Sequence, residues 1–400
     1  MKSAATDPRA AVLERIKELP PLPLVVHELM HVMRDAECSS DHVNRILSSD
    51  QALASKILRL VNSSFYGLPG RVSTIPRAVV ILGHAAVRNF TAGLAVMERL
   101  GARLPASRRQ SYWQHALATA AGAEVLARRV ELPDPDEAFV AGLLHDIGHL
   151  ILMMALPDEH AAAAEAGLLG DVEQERVIVG LDHCRAGRQL LQHWQLPAPL
   201  LESVRLHHAT DACRSAGVSL LTVVALSDRL SRVLGASGEG AAADDDVVEL
   251  AAALRLEPAA VLAEIPAIRA RMDEARSFLR LADIADPEPP ATATGTAATA
   301  VVVSGSGPRS AWLAALARHH GLVVRDLREW LLDPAGQPGS LVLCDAASIE
   351  PAQADRLRPL LMASGGQLRL VGRPANAGDP GCGRGLPVSL AFSVAELGLG

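Results

Sequence analysis

The stretch Ala141-Gly-Leu-Leu-His-Asp-Ile-Gly-His149 constrains this chain more than any other. It sets a histidine and an aspartate side by side in an apolar run that continues through Leu150, Ile151, Leu152, Met153 and Met154. Apolar residues at that density predict a buried helix. A buried carboxylate and imidazole need partners, because an unpaired buried charge is costly. The partners on offer are His115 upstream and His183, His207, His208 and Asp228 downstream. Histidine and aspartate gathered inside a helical core are what a divalent metal site needs. Such a set either holds metal or persists as a hydrogen-bonded network that sets helix register.

The chain has 400 residues, enough for two or three domains with a sizeable core. Aromatics make up only 3% while alanine and leucine are abundant, so most of the fold is expected to be helical. A net charge of −7 argues against nucleic-acid binding as the main task. Five cysteines, Cys38, Cys184, Cys213, Cys344 and Cys382, are scattered without a CxxC pair, which fits free thiols in a reducing compartment. No signal-peptide pattern opens the chain, and no apolar run of about 18 residues reads as a membrane span. The expected location is the cytoplasm.

Helices are expected over 10–19, from Pro23 to about Arg34, after an N-cap at Ser39 or Ser40, and over Gln51–Asn62 behind Ser49-Asp50. Thr74-Ile-Pro opens another, with Gly83 marking a close approach or an end. Long helices follow over 108–129, 137–155 and 171–193, then 198–208, 217–234, 247–254, one from Pro258 and one over 265–281. Residues 286–299 have the Pro/Thr/Ala/Gly composition of a linker. Beyond it the pattern changes to strands at 300–304, Leu322-Val-Val-Arg, 341–345, 367–371 and 387–392, with helices over 308–320 and 350–364. That alternation predicts a parallel α/β layer.

Several stretches resemble the HD-related output domain (HDOD) family. They are Leu19-Pro-Pro-Leu-Pro23, Ser49-Asp50, Lys56 to Ser63, Ile75 to Gly83, Trp113-Gln-His115, the Gly142 to Gly148 block, Asp182-His183, Trp194-Gln-Leu-Pro197 and His207-His208. The resemblance covers roughly residues 15–230. It implies an all-α HD-like helical bundle, taken over 1–285 (an N-terminal part about 10–105, an HD-like part about 106–285); composition and the strand–helix alternation add a linker over 286–299 and a small α/β parallel-sheet domain over 300–400, making the chain multidomain. It also implies a bacterial signalling output module that is not credited with catalysis. The tail is similar to a shrunken response-regulator receiver. Asp345 stands where that family's phosphorylatable aspartate would be, but the first strand ends in Ser304-Gly-Ser-Gly without an acidic pair, and no lysine follows the last strand. Without that cluster magnesium has little to bind, so Asp345 reads as structural.

The wider HD phosphohydrolase superfamily holds a first metal with one His, the His-Asp pair and a late Asp, and extends to two metals with further histidines. Carried over motif to motif, this implies His115, His145, Asp146 and Asp228 as the first set and His183, His207 and His208 as the extension, for a divalent manganese, iron or magnesium ion. His84, His160 and His193 read as ordinary core or surface histidines, and His27, His31 and His42 lie outside the HD-like part. Cyclic di-GMP phosphodiesterases of the HD-GYP family carry HDxGK and a Gly-Tyr-Pro signature. Here His149 replaces that lysine, and Cys-Arg-Ala-Gly-Arg-Gln follows His183 instead. At i+4 from His145, His149 is expected on the same helix face, as a surface or network residue, with an extra ligand or a proton donor as the alternatives. Three readings remain: a non-catalytic signalling module acting through other signalling proteins, a metal-dependent phosphohydrolase, and a sensor of a nucleotide second messenger through Arg59, Arg88 and Arg185.

Overall fold

A computed structural model of the chain describes residues 7–279 other than residues 20, 33–38, 64–65, 67, 102–105, 166–169 and 235–244. Beyond residue 279 it describes 301–304, 314–315, 324–326, 341–345 and 367–371. The chain divides into two compact units. The first comprises residues 1–231, 236–240 and 266–287; the second comprises 232–235, 241–265 and 288–400.

The first unit is helical. Its early part runs α1 (Pro8–Glu18), α2 (Leu24–Val32), α3 (Ser40–Ser49), α4 (Gln51–Val61) and α5 (Ile75–Gly101). The part carrying the His-Asp pair runs α6 (Ala106–Arg129), α7 (Pro135–Leu144), α8 (Ile147–Ala155), α9 (Pro157–Glu165), α10 (Val172–Ile178), α11 (His183–His193), α12 (Ala198–Leu206), α13 (Thr210–Ala216) and α14 (Leu220–Val233). Helices α15 (Asp245–Ala253) and α16 (Pro258–Ala263) belong to the second unit, and α17 (Ile265–Leu279) returns to the first.

Local chemistry sets these boundaries. Ser39 and Asp50 cap α3 and α4 by accepting from Asp41 N and Leu53 N. Within α4 the period-3.6 set Leu53, Ile57, Leu60 and Val61 is buried. Gly83 has φ 79° and kinks α5, a conformation that glycine adopts without strain, and no atom comes near its missing Cβ. Its role is the kink rather than a close approach.

At the centre, α7 lies along α6 and α8 lies on α11. Every residue of α7 from Ala138 to Leu144 is buried. Large side chains such as Phe139 and Leu144 each contribute about 1.5–3 kcal/mol by leaving water. Helix α17 is fastened to this centre by Arg271. Its Nε donates to Glu124 Oε2 of α6 at 2.6 Å, and its guanidinium lies 4.9 Å over the Phe139 ring. Two segments, Ile75–Glu98 and Pro135–Ala155, are long and apolar enough to cross a membrane, with mean hydropathy 1.5 and 1.6. They bury 61% and 83% of their apolar windows inside the protein, so burial, not a lack of apolar runs, marks them as core helices.

Two long helices expected from the sequence are each broken. The first, over 137–155, divides at His145-Asp146 into α7 and α8 because Asp146 leaves helical geometry at φ −99°, ψ 15°. The second, over 171–193, divides at Gly180, whose φ is +81°, and restarts where Asp182 caps α11 by accepting from Arg185 N at 2.8 Å. Helices α9 and α13 were not anticipated.

In the second unit, β1 (Val301–Ser304), β2 (Val324–Asp326), β3 (Leu341–Asp345) and β4 (Gln367–Val371) form one sheet in the order β2-β1-β3-β4, all parallel. Asp345 ends β3 in register with Val371. The linker over 286–299, most of the helices expected over 308–320 and 350–364, and the strand over 387–392 lie outside the described residues.

Gly148 makes the packing of α8 on α11 possible. A Cβ there would stand 1.8 Å from the carbonyl oxygen of His183, a backbone atom that has nowhere to go. We expect Gly148→Ala to destabilise the protein by at least about 3 kcal/mol, read as a lowered urea midpoint. Gly70→Ala, where nothing lies within 4 Å, should stay within about 0.5 kcal/mol of wild type.

Candidate metal centre

The break between α7 and α8 aims the His-Asp pair. Asp146 occupies the N-cap position of α8, yet its side chain makes no capping bond. An aspartate there ordinarily contributes about 1 kcal/mol by capping; here the carboxylate is turned to a cluster of imidazoles instead. Oδ2 of Asp146 lies 3.1 Å from His115 Nε2 and 3.4 Å from His145 Nε2. Oδ1 lies 3.4 Å from both His183 Nε2 and His207 Nε2, and is buried without a normal hydrogen bond.

Four of the expected imidazoles therefore meet around the Asp146 carboxylate, with Asp228 beside His115 and His145, and His208 beside His183 and His207. His115 comes from α6, His145 and Asp146 from the α7–α8 turn, His183 from α11, His207 and His208 from the end of α12, and Asp228 from α14. On one side, His115 Nε2 is 3.0 Å from His145 Nε2, and Asp228 Oδ1 is 3.4 Å and 3.7 Å from these nitrogens. On the other, His183 Nε2 and His207 Nε2 are 3.4 Å apart, with the His208 ring 4.2 Å from that of His207 and 5.0 Å from that of His183. Ligand atoms around one tetrahedral or octahedral ion stand roughly 3.0–3.6 Å apart, and the atom-to-atom separations here fall in that range except the 3.7 Å between Asp228 and His145.

Outer contacts orient the rings. Nδ1 of His145 donates to the Gly142 carbonyl at 2.7 Å, Nδ1 of His207 to the Val204 carbonyl at 2.9 Å, and Nδ1 of His183 to Glu175 Oε2 at 2.7 Å. The Ser231 hydroxyl donates to the Asp228 carbonyl at 2.6 Å, so its oxygen accepts from Nδ1 of His115 at 3.0 Å. Four rings are thus held by Nδ1 with Nε2 turned inward, the arrangement in which outer partners orient metal-binding histidines.

Three participants were missed at the level of sequence. Glu175 of α10 is buried and also accepts from the backbone N–H of His183 and of Gly170. Arg229 of α14 pairs with Asp228 Oδ2 and donates to the His207 carbonyl. Cys184 Sγ lies 3.4 Å from His183 Nε2. Adjacency to His183 and Asp228 was the available signal for Cys184 and Arg229; Glu175, eight residues upstream, offered none. His149 is a buried network residue, its ring stacked 4.2 Å from that of His183 and Nε2 3.8 Å from Glu175, and its donor atom lies within 4.8 Å of those of Asp146 and His183. His160 packs edge-on against it in the core, and His84 pairs with Ser40.

Electrostatics follow from this crowding. Burial opposes the charge on Asp146, but His145, His115 and His207 hold its carboxyl well below the usual range. Burial likewise opposes a charged His207, yet the Cys184 thiolate and Asp146 push it up to about 10. Burial would raise the Cys184 thiol; His183 and His207 outweigh it and bring it down to about 7. His149 goes the other way: burial, reinforced by His183, pushes it down to about 3, so it is neutral at physiological pH.

A sequence profile of the HDOD domain matches residues 19–210, just under half of the chain. Residues 19–210 are an HDOD domain. An uncharacterised protein of Treponema pallidum (strain Nichols) is 24% identical over 238 residues, a match covering 58% of this chain and 46% of that relative, so the chain aligns with about half the relative's length. Among solved structures, an HDOD domain protein of unknown function from Geobacter sulfurreducens is similar with TM-score 0.54 at 24% identity, over 66% of this chain and 97% of that one. A candidate phosphohydrolase from Shewanella amazonensis SB2B gives TM-score 0.53 at 23% identity, over 68% and 98%. A candidate signal transduction protein from Marinobacter aquaeolei VT8 gives TM-score 0.51 at 24% identity, over 68% and 65%. These likenesses establish the HDOD fold. The family match ends at residue 210, short of Asp228 and Ser231, so the HDOD domain borrows its last side chains from α14.

The arginines considered for a nucleotide do not gather. Arg88 donates to Asn89 and Arg185 pairs with Asp182 on a different helix, while Arg59 lines a separate cleft of about 1110 Å³ beside Arg71, Asn62 and Glu274.

The depressed His149 generates a pH dependence. An unfolded chain takes a proton on this residue below about pH 6.5, whereas the folded one resists until about pH 3. Stability therefore falls as pH drops through that window, by about 1.4 kcal/mol per pH unit from this group. His149→Gln should flatten the loss between pH 6 and 4, measured by urea midpoints at each pH.

Proposed function

We propose that the helical unit is a non-catalytic signal-transduction output module whose His/Asp pocket binds divalent metal at two adjoining positions bridged by Asp146. The observation that carries this is the division of Asp146, with Oδ2 facing His115 and His145 and Oδ1 facing His183 and His207. A buried oxygen without a hydrogen bond, set between two inward-turned nitrogens, suits a cation. A bound divalent ion supplies the positive charge that neutralises Asp146 and Asp228 and ties five helical segments together.

Two features weigh against turnover. The side chains of His145, His183 and His207 have no solvent exposure and Asp146 has 6%, so a phosphoester reaches them only if helices part. Where HD-GYP enzymes carry a lysine, this chain has a neutral, buried His149, which offers no cation to a phosphoryl oxygen. The output on this reading is contact with other signalling proteins, with manganese, iron or magnesium as the ions first expected. The C-terminal segment serves as a degenerate receiver-like α/β domain that tunes the output, with Asp345 structural.

The second reading is a metal-dependent phosphohydrolase. What favours it is that six of its seven expected ligands fall in groups whose donor atoms lie within 4.8 Å of one another, with Asp228 Oδ1 3.4 Å from His115, and that the candidate phosphohydrolase of Shewanella amazonensis shares the fold.

Metal analysis of the purified full chain tests the first reading. We expect roughly two divalent ions per chain, loss of most of them in Asp146→Asn, and a lowered melting temperature after chelation. A metal-free protein whose stability ignores chelator would refute the binding. Turnover of a phosphoester panel with manganese or iron, abolished by Asp146→Ala, would replace the first reading by the second.

A further inference from the structure

The two halves of the pocket differ in chemical softness. Around His115, His145, Asp146 Oδ2 and Asp228 the donors brought together are imidazole nitrogen and carboxylate oxygen. Around His183 and His207 a sulfur joins them. Cys184 follows His183 in the first turn of α11, is buried, and directs Sγ to 3.4 Å from His183 Nε2 and 4.0 Å from His207 Nδ1. The donor atoms of His183, Cys184, His207 and His208 all lie within 4.8 Å of one another.

We propose that Cys184 is a thiolate ligand in the half of the pocket containing His183 and His207, and that this half selects a thiophilic ion, zinc(II) or iron(II), over magnesium or manganese. The inference rests on the metal-binding reading above and adds which ion the half takes and what holds it. Nitrogen and sulfur donors on one tetrahedral zinc stand roughly 3.4–3.6 Å apart, and the Cys184–His183 separation of 3.4 Å lies in that range. The unpaired Asp146 Oδ1, 3.4 Å from both Nε2 atoms, faces the same space. Cys213 shows the contrast: also buried, it turns its thiol to the Leu206 carbonyl. Soft sulfur favours zinc and iron, and a site without it suits harder ions, so one pocket presents two unlike positions.

The full-length protein, stripped and reloaded, tests this. X-ray absorption of the zinc-loaded wild type should show a zinc–sulfur distance at about 2.3 Å beside nitrogen and oxygen. Cobalt(II) should give a near-ultraviolet sulfur-to-cobalt charge-transfer band. Cys184→Ser should abolish the band, keep the visible d–d bands, and cost about tenfold or more in zinc affinity relative to manganese. His115→Ala, on the other side of Asp146, should keep the band. The wild-type spectra stand even where a variant fails to fold. Zinc and cobalt bound through nitrogen and oxygen alone would overturn the thiolate assignment and leave the metal-binding reading intact. Failure to bind either ion would overturn both.

Discussion

The helical unit turns on a single carboxylate. Asp146 is buried and close to four imidazole nitrogens, and each of its oxygens serves a different pair. A charge taken out of water at that depth is tolerable only when it is surrounded by opposite charge or strong donors. The surrounding groups come from segments far apart in the chain, so the requirement of one side chain dictates how α6, α7, α8, α11, α12 and α14 converge.

Much of the neighbouring architecture serves that convergence. The helix breaks at His145-Asp146 so that both side chains of the pair face inward. Gly148 lets α8 settle against the backbone of His183. Asp182 starts α11 so that His183 falls in its first turn, and Glu175 and Ser231 hold two rings by their outer nitrogens. None of these contacts is large, but together they remove the rotational freedom of the inner ring atoms before any ion arrives, which lowers the cost of binding one.

Much of this was legible from residues alone, for a definite reason. His-Asp within an apolar run can survive only with partners, and the other histidines and Asp228 were the few groups able to supply them. Periodicity located α4 because its apolar face repeats cleanly. It missed the break at His145-Asp146 because both flanks are apolar and helix-favouring, and the interruption comes from tertiary demands on a carboxylate; the break at Gly180 comes from a backbone angle. Glu175 was invisible because an acidic residue in a polar helix looks like surface, and only the fold turns it towards His183. Cys184 was passed over as a scattered thiol, since its meaning depends on His207, which lies 23 residues away.

The Arg271–Glu124 link joins residues 147 positions apart, and both side chains are almost wholly shielded from water. A chain cut where the family match stops, near residue 210, would keep the part-exposed Arg128 3.2 Å from Glu124 Oε1 but lose the buried Arg271 guanidinium from Oε2. Abandoning one member of a buried couple costs about 3–5 kcal/mol where no partner remains and less where one does, still a notable part of what keeps an ordinary domain folded. The autonomous folding unit is therefore longer than the recognisable one, and it closes only when the chain has come back to lay α17 across α6.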